Sequence, residues 1–452
     1  MTATRTFART TVALAALLAT GVSAYATDGY FQNGYGARQK ALAGAGVADS
    51  RDAAAGSLNP AGLVHVGDEI DIAVSVFSPR REYEGSGAPG FTPQGEVDSE
   101  WNYFFIPNLA WNTRAFANSL FDTFGITAYG NGGMNTHYPS FGRPPPQCAP
   151  SPVGGLGVFC AGETGINLTQ MFVSANFAKQ VAPGISVGVA PTAVYQQISI
   201  DGLGAFTGVP GPSLDPTHVT GQGNDSSWGG GIRAGLEFAP MQNVRIGVAG
   251  SSPMWMSKFG DYAGLFADAG SFDIPANVTA GIAVDVTPGF TVMLDYKHIF
   301  YSSIDSIANP STNLLFCGPA SPSSCLGGTN GPGFGWDDID VVKLGFEYRP
   351  NPGMALRAGY SYNTSPLNER DVMFNILAPA TVQHHITGGI AMDIGGGYTF
   401  ELSGMYAPKV DINGGELPGF GNPAHNIELS MYQFEVTGGI KYKFGGPEAP
   451  LK

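Results

Sequence analysis

Six cations, Lys297, Lys343, Arg349, Arg357, Lys441 and Lys443, lie in segments where apolar and polar residues alternate. Alternation places them on the polar face of a strand. A cation there can hold the carboxylate of a ligand or a carboxylate of its own chain. Lys297, Lys343, Arg349 and Arg357 are the candidates for a ligand carboxylate, and Asp295, Glu347 and Glu435 are the competing, favoured partners. Patterns for covalent or metal chemistry are missing: there is no H-E-x-x-H, no Walker loop and no G-x-S-x-G elbow. "GAGVAD" has G-x-G but no third Gly and no strand before it, so it does not make a dinucleotide site. His384 and His385 begin a strand and point to opposite faces, which suits joint metal ligation poorly. Asp337 and Asp338 close a long loop and read as a solvated loop end rather than a calcium site. No enzyme, cofactor or metal is implied.

Cys148 lies near Cys160, and Cys317 near Cys325. Four cysteines allow three connectivities; the local pairing is expected if the chain is exported to an oxidising compartment. The net charge of −14 argues against nucleic-acid binding.

The elements that must position these residues are strands. In 431–444, "MYQFEVTGGIKYKF", every second residue from Tyr432 is apolar, aromatic or Gly, and the residues between are mostly polar. Similar segments recur at about 69–79, 101–113, 123–131, 165–180, 184–200, 228–239, 243–258, 274–286, 289–305, 338–349, 354–363, 382–394 and 397–410, which predicts about fourteen strands. Their connections alternate between short Pro/Gly turns and long loops, both Cys pairs falling in long ones. Charged residues are only 13% of the chain, aromatics are 11%, and there are 65 Gly. Alternation without long apolar runs, sorted loops and low charge predict an all-β fold, a transmembrane antiparallel barrel whose dry side faces lipid. The five Trp, at predicted strand ends, read as an aromatic girdle.

The N-terminus reads as a signal peptide over 1–26: Arg5 and Arg9, then "TVALAALLATGV", then "AYA" with cleavage after Ala26. Residues 27–68 are Gly/Ala-rich, do not alternate, and sit where a lumen plug would. The barrel is expected over 69–444, with a tail at 445–452.

The stretch 33–63, "NGYGARQKALAGAGVADSRDAAAGSLNPAGL", resembles the N-terminal hatch of the FadL-type outer-membrane transporters. The marks are Asn33-Gly34-Tyr35-Gly36, Gly44-Ala45-Gly46 with Asp49, and Asn59-Pro60-Ala61. The resemblance continues through "GINLTQMFV", "IPANVTAGIAVDVTP" and "LRAGYSYNTSPL". It implies a monomeric fourteen-stranded barrel with a hatch, in the bacterial outer membrane among lipid and lipopolysaccharide. It implies passive uptake of hydrophobic small molecules, long-chain fatty acids favoured, by ligand-gated lateral diffusion through the wall. The exit would be a kink in the third strand, for which Gly130, Asn131, Gly132 and Gly133 are the candidates. Leu265 and Phe266 would lie at the external capture groove, and Tyr30, Phe31, Asn33 and Gly34 would gate the inner pocket. Two features depart from the family pattern: a tail follows Phe444, and the Cys-bearing loops are long. Uptake of aromatic hydrocarbons is the alternative on the same fold; a surface adhesin or receptor barrel without transport is the other.

Overall fold

The computed structural model describes residues 28–142, 148, 155–208 and 211–444. The expected signal peptide and C-terminal tail lie outside the described residues. Fourteen strands make one antiparallel barrel: β1 Glu69–Gly87, β2 Phe104–Thr113, β3 Thr123–Gly130, β4 Thr164–Ala182, β5 Ile185–Asp201, β6 Asp225–Met241, β7 Val244–Ser251, β8 Asn277–Thr287, β9 Phe290–Ile299, β10 Ile339–Asn351, β11 Met354–Asn363, β12 His384–Gly395, β13 Tyr398–Gly415 and β14 His425–Lys443. Each pairs with the next, and β1 closes the barrel on β14, from Glu69 opposite Lys443 to Gly87 opposite His425. Closure removes the free edges that a bilayer cannot hydrogen-bond.

Burial is inverted relative to a water-soluble sheet. Along β14, Phe434, Val436 and Ile440 are 46%, 55% and 49% exposed, whereas Gln433, Thr437 and Lys441 are 1%, 2% and 8% exposed. The apolar face points outward to lipid and the polar face inward, onto the hatch. Register is therefore set strongly, because a slip by one residue would turn Lys441 outward.

All the predicted strands are present, and their ends differ for local reasons. β1 continues past the expected end because Gly95–Asp98 folds back on it, Glu82 opposite Asp98. β7 stops at Ser251, just before Pro253, which has no N–H for a ladder, and Trp255–Met256 then pairs with β6. β9 ends at Ile299 and gives way to short helical turns at Tyr301–Ser303 and Asp305–Ala308. The tight turns gather at one end of the barrel. At the β12–β13 turn Gly395, Gly396 and Gly397 have φ of +87°, +64° and +84°, a run that side-chain-bearing residues rarely adopt.

The girdle expectation needs one correction. Trp101, Trp228 and Trp255 are exposed, but Trp336 is 2% exposed. Its Nε1 donates to Asn375 Oδ1 at 2.7 Å, within the packed long loops. A long loop able to fold on itself can build its own core, and Trp336 belongs to that core rather than to the membrane boundary.

Residues 28–66 thread the lumen. They form one short helix, α1 (Gly36–Ala41), and two 3-10 turns, Ala53–Ser57 and Pro60–His65, largely buried against the inner wall.

Candidate functional site

Buried ion pairs tie the hatch to the wall. Asp28 Oδ2 accepts from Lys343 Nζ at 2.8 Å and from Lys297 Nζ at 3.1 Å. Lys343 also donates to Asn33 O at 2.7 Å and to Asn33 Oδ1 at 3.0 Å. Burial pushes the Asp28 carboxyl up, but Lys343 and Lys297 outweigh it and hold the group below the usual carboxylate range. Asp49 is gripped by Arg38 at 2.5 Å, Arg245 at 2.7 Å and Arg51 at 2.8 Å. Burial raises its carboxyl too, and the three guanidinium groups pull it back below the usual range. Arg38 reaches Glu347 at 2.9 Å, and Lys40 pairs with Glu435.

All four candidate carboxylate partners therefore have protein partners. Lys297 and Lys343 hold Asp28; Arg349 holds Glu347 at 2.9 Å; Arg357 holds Glu347 at 2.8 Å and Glu401 at 2.7 Å. Lys441 is 3.0 Å from Glu401, and Lys443 is 3.9 Å from Glu69.

Asn59, Pro60 and Ala61 form the seat of the hatch. Asn59 Oδ1 caps the turn by accepting from Ala61 N at 3.0 Å, and Pro60 occupies the first turn, where its missing N–H costs nothing. Asn59 Nδ2 donates to Val47 O at 2.7 Å and to Leu236 O of β6 at 3.3 Å. The wall makes room with glycines: a Cβ on Gly188 would overlap Ala61 N, and one on Gly235 would overlap Asn59 Oδ1. Asn59→Ala removes the cap, worth about 1 kcal/mol, and leaves Val47 O without its bond, a further cost of about 1–3 kcal/mol. Hydrogen exchange over 47–65 should quicken by at least tenfold while the barrel amides keep their protection. Unchanged exchange would show that this triplet does not seat the hatch.

The wall itself is interrupted in the third strand. β3 pairs with β2 from Asn108 opposite Tyr129 to Thr113 opposite Phe124, and among the described residues this ladder stops short of Ile106 and Pro107. β3 resumes as Asn135–Tyr138, laddered to β4, while on its other side His137 O accepts from Glu100 N at 2.8 Å. Gly130 lies opposite Met171 and Asn135 opposite Asn167, so four residues of β3 face three of β4. The extra residue is a bulge and shifts the alternation by one. Thr127 and Tyr129 face inward before it, Thr136 and Tyr138 after it.

The hatch fills this interruption. Gln32 N donates to Asn131 O at 2.9 Å, Phe31 forms an antiparallel bridge with Gly132, and Tyr35 OH donates to Asn131 Oδ1 at 3.2 Å. Asn131, Gly132, Gly133 and Phe31 are thus brought together with Tyr30, whereas Asn33 turns to Lys343 of β10. Gly34 packs on Gln39 within the hatch. An inner pocket beside the break is lined by Tyr30, Phe77, Arg81, Gly133, Met134 and Trp336, among others.

At the long-loop end, Leu265 and Phe266 line an apolar cleft with Phe159, Leu203, Phe206 and Phe334. Among the described residues its lining holds no charged side chain. Buried residues of this cleft and the rings of Tyr30, Phe31 and Trp336 belong to one continuous hydrophobic cluster. The disulfides Cys148–Cys160 and Cys317–Cys325 join the expected partners in the loops around it. Arg81 and Asp28 are site residues that the sequence does not mark; Lys343 is among the expected cations, but Asp28 is 315 residues from it and no local pattern joins the two.

The profile of the outer membrane protein transport protein family (OMPP1/FadL/TodX) matches residues 15–381. The chain belongs to this family. It is a family of outer-membrane β-barrel transport channels for hydrophobic compounds, not of enzymes. The fold matches the Pseudomonas putida toluene transporter TodX with a TM-score of 0.66 at 17% identity, over 92% of this chain and 100% of that one. A Pseudomonas aeruginosa FadL homologue matches with a TM-score of 0.64 at 12% identity, over 92% and 100%. The Ralstonia pickettii toluene transporter TbuX matches with a TM-score of 0.55 at 17% identity, over 91% and 99%. Comparison with curated protein sequences gave no match.

Proposed function

We propose that this OMPP1/FadL/TodX-family channel carries monoaromatic hydrocarbons and similar nonionic compounds from the cell surface into the outer membrane. Entry is at the Leu265–Phe266 cleft and exit at the β3 break. The observation that carries this reading is an uncharged apolar cleft continuous with the rings beside the break, while Lys297, Lys343, Arg349 and Arg357 are all engaged by protein carboxylates. A nonionic ring needs burial and no counter-charge. The likeness of the fold to channels described as toluene transporters supports it.

Long-chain fatty acids are the second reading, and one observation favours it: Arg81 lines the inner pocket. Its guanidinium donates to Asn135 O and Trp101 O, so a carboxylate arriving there would compete with carbonyl groups. Uptake of labelled toluene and labelled oleate in a transporter-deleted host separates the two. Toluene uptake well above the empty host, with oleate at background, is expected. Oleate uptake alone would overturn the hydrocarbon reading and turn attention to Arg81→Met.

A further inference from the structure

One group of side chains is explained by neither the hatch latch nor the path. Asp52 lies in the hatch, Asp71 on β1 and Glu401 on β13, and one carboxylate oxygen from each lies within 4.8 Å of the others. All three residues are at most 2% exposed. Each keeps an oxygen with no hydrogen-bond partner: Asp52 Oδ2, Asp71 Oδ2 and Glu401 Oε2. The cations nearby favour one corner. Arg357 Nη1 at 2.7 Å and Lys441 Nζ at 3.0 Å both reach Glu401 Oε1, and Lys441 is 3.9 Å from Asp52 Oδ2. No ion pair reaches Asp71 among the described residues. Glu69 Oε1 accepts from Ala53 N at 2.8 Å, and its Oε2 also lacks a hydrogen-bond partner while the residue is fully buried.

Buried carboxylates this close repel strongly unless a cation or a shared proton sits among them. Oxygens bound to one calcium ion at about 2.4 Å lie at most about 4.8 Å apart. The donors are all hard oxygens, the set that calcium selects and softer metals do not. We infer that Asp52, Asp71 and Glu401 form a binding site for a hard divalent cation, calcium, that ties the hatch to β1 and β13. Asp71, aimed into the cluster without a partner of its own, is its decisive ligand. The ion bridges three segments distant in sequence, so no metal spacing betrays the site. It sits near the short-turn end, where β1 begins and β13 has just left its turn, far from the apolar cleft. The site does not depend on which compounds pass.

The test uses the folded full-length barrel in detergent, stripped with EDTA and titrated with calcium chloride. Calorimetry should show one saturable site, and calcium should raise the melting temperature of the stripped protein. Asp71→Asn, nearly isosteric, should weaken binding by at least tenfold and abolish the shift. Glu82→Gln with Asp98→Asn, at a second acidic group that is partly exposed and lies near the long-loop end of β1, should leave both intact. Folding of each variant is checked by heat-modifiable gel mobility. If Asp71→Asn fails to fold, stripping and re-adding calcium to the wild type decides alone. No calcium-dependent shift in the wild type would overturn the site. So would equal calcium affinity in folded Asp71→Asn, or calcium-independent stabilisation by that substitution, the mark of carboxylates that share a proton.

Discussion

Deleting Gly133 should cut uptake by at least tenfold while the barrel still folds. The argument is one of counting. Between the Gly130–Met171 and Asn135–Asn167 pairs, β3 has one residue more than β4. Removing one residue lets the ladder run on unbroken, and Thr136 keeps its pairing with Ile166 and its inward direction. β3 then has the geometry to extend its ladder with β2 past Asn108, along Ile106 and Pro107. A closed wall leaves an apolar solute no lateral way out. Closure also adds hydrogen bonds, so the variant should melt no lower than the wild type. Full uptake by a folded Gly133 deletion would place the exit elsewhere.

Replacing Lys343 with Met should release the start of the hatch. Lys343 serves Asp28 and both oxygens of Asn33, all buried. Its loss leaves Asp28 to Lys297 alone and takes the donor from Asn33 O, a buried acceptor, at about 1–3 kcal/mol for each bond lost. The loss is local, because Lys343 lies on a wall whose strand pairing is untouched. Residues 28–35 should become open to protease and exchange hydrogen at least a hundredfold faster, with the barrel intact. The wild-type latch has a matching acid limit. The Asp28 carboxyl is held below its ordinary value, so its contribution is present above the usual carboxylate range and is lost as pH falls through the lowered value. The latch should hold at neutral and mildly acid pH and loosen only below about pH 4. Protection of 28–35 unchanged in Lys343→Met would show that the aromatic contacts of Tyr30 and Phe31 hold the segment by themselves.

How far the sequence revealed this arrangement depends on the range of each interaction. Strands were legible because alternation is local: Val342, Leu344, Phe346 and Tyr348 against Lys343, Glu347 and Arg349 define β10 without knowledge of its neighbours. The disulfides were legible because their partners are 12 and 8 residues apart. The glycine-rich 130–133 stretch marked a weak point in a strand, but only the pairing of β4 reveals the extra residue. The ion network was legible in part. Inward cations and carboxylates could be named, but not that Asp28, Arg38 and Asp49 would come from the hatch to meet them. Trp336 was misread because a strand-end position says nothing about a loop folding over it.

Gly188 and Gly235 are places where the wall has given up a side chain so that the turn at Asn59–Ala61 can lie against it. The two parts fit by subtraction, and neither shape is meaningful alone. A bulkier hatch turn needs a further hollow in a strand more than a hundred residues away, and a filled hollow needs a thinner turn. Plug and wall must therefore be inherited as a matched pair. A hatch transplanted from a relative with bulkier residues at this seat would meet a lumen cut for another shape, however well each half folds in its own chain.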